Sequence, residues 1–216
     1  MRLTRTFATL AASTLLVGGL AVAAAPAASA ESAPIKATGV TSVTTAKGLA
    51  TALISKGIVP YGLGSTSTSF LYSATNGLQV RYGFPVTGVT LDDPALGAGS
   101  VANVNILHSG GLAFANILKG TRVTTRNYTI DVSGGVITAD VTANGASVGR
   151  IPVYKIDLSG ASVSYTVPTD GKADVRNVTV QLADGVAAVL NSVLKTSVFT
   201  ENATIGSARV VVSSVG

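Results

Sequence analysis

Tyr128-Thr129-Ile130-Asp131-Val132-Ser133-Gly134-Gly135-Val136-Ile137-Thr138-Ala139-Asp140-Val141 is the stretch that decides the fold class. Tyr128, Ile130 and Val132 alternate with Thr129 and Asp131. After the Gly134-Gly135 turn, Ile137, Ala139 and Val141 alternate with Thr138 and Asp140. A period of two with a glycine turn between the runs predicts a half-buried β-hairpin. The same alternation continues outward through Tyr154, Ile156 and Leu158, through Val163, Tyr165 and Val167, and through Val178, Val180 and Leu182. Gly, Asn, Asp or Pro bounds each run, so consecutive antiparallel strands are predicted, with one face in a core and one in water. Such spacing points to a mainly β fold, a sandwich or a barrel, of which an antiparallel two-sheet β-sandwich-like fold is the one expected.

Two segments break the alternation. Ala46–Lys56 and Ala183–Lys195 space Leu49, Ala52, Leu53 and Val186, Val189, Leu190, Val193 as one apolar stripe each, predicting two short amphipathic helices. Both begin with the same pattern, Ala46-Lys47-Gly48-Leu49-Ala50 and Ala183-Asp184-Gly185-Val186-Ala187. Convergence of two edge-covering helices on small residues is preferred here to a true internal repeat.

The first 30 residues stand apart. Arg2 and Arg5 precede an apolar run to Ala25, and Ala28-Ser29-Ala30 offers the small residues of a cleavage site, so 1–30 reads as a secretory signal peptide. Residues 31–42 read as a flexible N-terminal segment and 43–216 as one domain. Without its two early arginines the net charge falls from +5 to +3, and the remaining charges are scattered, so no nucleic-acid partner is indicated. No later run is long and apolar enough for a transmembrane anchor. The expected localisation is secreted, extracellular or in the cell envelope.

With no Cys and one His in 216 residues, catalytic thiols, thiolate metal centres, disulfides and histidine-cluster metal sites are excluded. Gly145-Ala146-Ser147-Val148-Gly149 matches G-x-S-x-G, but it joins two predicted strands and no histidine follows it, so it supplies no nucleophile elbow. Asp92-Asp93-Pro94 reads as a turn. Asn127-Tyr128-Thr129, Asn177-Val178-Thr179 and Asn202-Ala203-Thr204 have the form of glycosylation sequons. The single imidazole, His108, shares strand parity with Ala102, Val104 and Ile106, which places it half covered at the end of the core. Tyr61 and Tyr72 flank the polar loop Gly62–Ser69 and are expected to face solvent or a groove.

The order of elements resembles the HtaA domain of actinobacterial haem-acquisition proteins, from about Val43 to Val211. The resemblance is carried by the helix around Lys47, Gly83-Phe84-Pro85-Val86-Thr87-Gly88, His108-Ser109-Gly110-Gly111-Leu112, the hairpin Tyr128–Val141 and the segment Thr179–Ala187. It implies an exported two-sheet β fold that binds haem in a cleft, with a helix tyrosine on the iron and a histidine like His108 behind it. With Lys47 set on the family's lysine, Leu53 stands where the tyrosine belongs. The reading is therefore a non-catalytic, secreted binding or structural protein whose partner is a cell-envelope component. The alternative is a haem-binding module of iron acquisition, with haem as cofactor, Tyr61 or Tyr72 as iron ligand and His108 behind it.

Overall fold

A computed structural model describes residues 36–91, 104–166 and 172–214. The signal peptide expected at 1–30, the Asp92-Asp93-Pro94 turn and the first residues of the strand expected from Val101 lie outside them. The elements in chain order are β1 (Ala37–Thr45), α1 (Leu49–Ser55), β2 (Ile58–Leu63), β3 (Ser67–Ser73), β4 (Gly77–Leu91), β5 (Val104–His108) and β6 (Gly111–Asn116). They continue with β7 (Thr121–Asp131), β8 (Val136–Ala143), β9 (Ala146–Asp157), β10 (Ser162–Thr166), β11 (Lys172–Leu182), α2 (Val186–Leu194) and β12 (Thr204–Ser214).

Every strand pairing is antiparallel, and the two faces of the expected sandwich are one continuous sheet. The order runs β7-β5-β4-β1-β12-β11-β9-β8, and β8 pairs with β7 again, which closes an eight-strand barrel. The expectation of two packed sheets is corrected accordingly. Alternation records that one face of each strand is covered, which a sandwich and a barrel satisfy equally. Bends help the sheet to close on itself. Register shifts fall between Arg126 and Thr129 in β7 and between Val175 and Val178 in β11, where Asn127 and Asn177 take left-handed φ values of 52 and 59. Bulges of this kind bend a strand and raise its twist.

Residues 37–42, expected in a flexible segment, form the first part of β1, held between β4 and β12. The four remaining strands attach outside the ring: β6 on β7 with β2 on β6, β3 on β4 and β10 on β11. Strands β5 and β6 lie end to end along one edge of β7, interrupted only at Ser109-Gly110. Asn144-Gly145, with φ values of 51 and 90, turns β8 into β9, and the G-x-S-x-G match continues as strand β9 with no helix after it.

Both helices form where expected and begin on one backbone solution. Gly48 and Gly185 hold φ 78, ψ −15 and φ 77, ψ −14. Leu49 N and Val186 N each donate to the carbonyl three residues back, Ala46 and Ala183, at 3.2 Å. Left-handed φ favours glycine at these two positions, which accounts for the shared A-x-G pattern locally. β1 and β11 flank β12 and are both antiparallel to it, so they run in the same direction and α1 and α2 cover the same end of the barrel. Ala50 and Leu53 of α1 and Ala187, Leu190 and Leu194 of α2 are buried.

Candidate functional site

Inside the barrel, Phe84 meets Tyr128 edge-on at 5.1 Å between ring centroids, and Tyr128 lies 6.4 Å from Tyr154. Beside them is a cavity of about 60 Å³ whose lining includes Leu53, Pro60, Tyr82, His108, Tyr128 and Tyr154. Strand parity explains the set. Thr41 pairs with Phe84 across β1 and β4, and His108 pairs with Val86 across β5 and β4. Residues 84 and 86 share a face, so Thr41 and His108 both turn inward.

His108 is 5% exposed, deeper than the half-covered position that its strand parity suggested. Its Nε2 lies 2.7 Å from Thr41 Oγ1. Burial pushes the imidazole down to about 4, against a smaller upward pull from the Tyr128 and Ile106 backbone carbonyls. It is therefore neutral at pH 7. Burial also pushes Tyr82 and Tyr128 well above the usual tyrosine value and Tyr154 up to about 12, so all three phenols stay protonated. Thr125 Oγ1 and Tyr128 Oη are hydrogen-bonded, and both face inward because of the bulge at Asn127. The Tyr82 hydroxyl and His108 Nδ1 make no hydrogen bond.

The candidate residues are not brought together. Pro60 lines the interior cavity, so its neighbour Tyr61 points to the opposite face of β2, where it borders a surface concavity with Ile117 and Arg122. Tyr72 lies on β3 and is 82% exposed. The side chains that line the cavity with His108 include Thr41, Tyr82, Tyr128 and Leu53. Their signal in the sequence was strand parity for the tyrosines and the helical stripe for Leu53. Nothing local marked Thr41.

The haem group implied by the resemblance can be tested against these residues. Leu53, which the resemblance would set where an iron-binding tyrosine belongs, lines the same cavity as His108 and is 1% exposed. Ligand sites measure about 300–1,000 Å³. The space beside His108, about 60 Å³, is several times smaller. The residues present do not fit a haem there. A second cleft, of about 300 Å³, lies between α2 and β7–β9, and its one charged lining residue, Asp184, is paired with Lys155 at 2.6 Å.

The sequon asparagines have a backbone role. Asn127, Asn177 and Asn202 all sit at left-handed φ, and Asn127 Nδ2 donates to Asp140 while Asn202 Oδ1 accepts from Lys155. Among the described residues no group of three His, Cys, Asp or Glu side chains stands together to hold a metal, and no helix is long and apolar enough to cross a membrane.

Fold and site together define an antiparallel barrel, capped at one end by two short helices, with a neutral histidine inside a tyrosine-rich, tightly filled interior. No family model matches the chain, and no curated protein matches it. Among solved structures it is similar to the C-terminal domain of HtaA from Corynebacterium glutamicum, at 15% identity and a TM-score of 0.47, covering 83% of this chain and 99% of that one.

Proposed function

We propose that this protein is a secreted, non-catalytic component of the cell envelope, a rigid barrel that works through its outer surface. The observation that carries the reading is the joint position of Leu53 and His108. In a haem-acquisition domain of the kind the sequence resembles, a helix tyrosine would hold the iron and the histidine would stand behind that tyrosine. Here an isobutyl group and a neutral imidazole border a cavity of about 60 Å³. An interior filled in this way supports a scaffold rather than a receptor for a molecule as large as haem. The apolar stretch at residues 1–30 with its small-residue cleavage pattern supports export.

Haemin titration tests the reading. The expected spectrum shows no saturable one-to-one Soret shift, and Tyr61→Ala and Tyr72→Ala leave it unchanged. A saturable shift that either substitution abolishes overturns it in favour of iron acquisition. Fractionation of the producing cells tests the location, with the chain expected in the envelope or medium and absent from the cytoplasm.

A further inference from the structure

We propose that the helix-capped end of the barrel is a contact surface for an anionic lipid bilayer. The inference rests on the envelope reading above and names how the protein would be held there. The β6–β7 turn carries Ile117 and Leu118 at its tip, 67% and 72% exposed, where turns ordinarily carry Asn, Asp or Gly. Ile54, on the last turn of α1, is 48% exposed.

The tip is fastened in place. Asn116, 2% exposed, donates from Nδ2 to the Leu194 carbonyl at the end of α2 at 2.7 Å. Its Oδ1 accepts from the Leu118 and Lys119 amides at 3.1 and 3.2 Å. Ile117 N donates to the Gly57 carbonyl just past α1 at 2.9 Å. A Cβ on Gly57 would come within 2.6 Å of the Leu118 side chain, so glycine there lets Leu118 lie against the end of α1. Built supports of this kind hold two aliphatic side chains in water, which costs free energy unless something covers them.

Charge states what covers them. Lys56, Lys119 and Lys195 line one open concavity of about 670 Å³ together with Leu118, Ser192 and Thr196. No acidic residue lines it, and none of the three lysines is in an ion pair among the described residues. Lys56 and Lys195 follow the last turns of α1 and α2, where a cation complements the carbonyl ends. That accounts for two lysines and leaves Lys119 and the aliphatic tip unexplained. Aliphatic side chains flanked by lysines match an interface of acyl chains beneath anionic headgroups. A soluble polyanion would use the lysines and leave Ile117 and Leu118 idle.

Flotation of the chain beginning at Glu31, which holds every described element, with phosphatidylglycerol and phosphatidylcholine vesicles tests this. Salt-sensitive binding to the phosphatidylglycerol vesicles is expected, with little to phosphatidylcholine. Removing both aliphatic side chains (Ile117→Ser with Leu118→Ser) should weaken binding by about tenfold or more. Removing all three charges (Lys56→Gln, Lys119→Gln and Lys195→Gln) should weaken it on the order of a hundredfold. Both variants change exposed side chains and should keep the wild-type thermal melt. Wild-type protein that ignores phosphatidylglycerol vesicles at low salt overturns the inference whatever the variants do. Equal binding by the aliphatic variant, or tighter binding to soluble polyphosphate than to vesicles, overturns it as well. Recovery in the cell envelope without vesicle binding would remove this inference and leave the envelope reading standing.

Discussion

Thr41 Oγ1 and His108 Nε2 meet 2.7 Å apart inside the barrel although their strands do not pair with each other. β1 and β5 lie on opposite edges of β4, so this hydrogen bond spans β4 from within. It joins residues 67 positions apart.

His108 makes folding sensitive to mild acid. Its pKa is about 4 when folded and 6.5 in an unfolded chain, so between those values the unfolded state binds the extra proton. Stability therefore rises with pH through that window and is lost as pH falls from about 6.5 to 4. The full loss is on the order of 3 kcal/mol, from 1.36 kcal/mol per pKa unit. Urea unfolding at a series of pH values should show this slope, and His108→Asn should flatten it.

Thr41→Val keeps the shape of the side chain and removes the partner of the imidazole. A buried polar atom left unpaired costs about 1–3 kcal/mol, read as a lower urea midpoint at pH 7. An unchanged midpoint would mean that the bond between β1 and β5 contributes nothing net.

Leu53 tests how tightly the interior is filled. Leu53→Ala enlarges the cavity beside His108 and should cost about 2–5 kcal/mol. A crystal structure of that variant should show a larger void lined by Tyr82, Tyr128 and Tyr154, and small apolar solutes should raise its melting temperature without affecting wild type. A loss well below 2 kcal/mol would mean that α1 collapses into the space.

Gly48→Ala and Gly185→Ala probe the shared helix start. A Cβ at either position meets nothing within 4 Å, so the cost is conformational only. Each should destabilise by about 1–2 kcal/mol and by similar amounts, because φ and ψ agree within 1°. Thermal melts of the two single variants make the comparison.

Asp174 accepts from Arg209 and Arg176 at 2.7 to 3.0 Å, and these hydrogen bonds hold its carboxyl well below the usual carboxylate range. The stability it contributes is present above the unfolded carboxylate pKa near 3.9 and is lost as pH falls through the lower folded value. Asp174→Asn should lower the urea midpoint at pH 7 and flatten the curve below about pH 4.

Much of the fold could be read along the chain. The hairpin around Gly134-Gly135, both helices and the inward parity of His108 rest on periods of two and 3.6, which act over a few residues. The bulges at Asn127 and Asn177 were visible only as sequons, because Asn-X-Thr and an asparagine at left-handed φ look the same in one dimension. The haem alternative needs Tyr61 or Tyr72 to share a site with His108, yet a single step in parity from Pro60 sends Tyr61 to the other face of its strand.

The sequence by itself determined strand, helix and which side of each strand is apolar, since these follow from local steric and hydrophobic periodicity. Only the tertiary structure decided that β7 and β8 pair to close a barrel and that Thr41 reaches His108 across β4. It alone placed Leu118, Lys56, Lys119 and Lys195 around one concavity. Each of these depends on segments brought together by closure and bulging, and a half-covered strand has the same pattern whichever partner covers it.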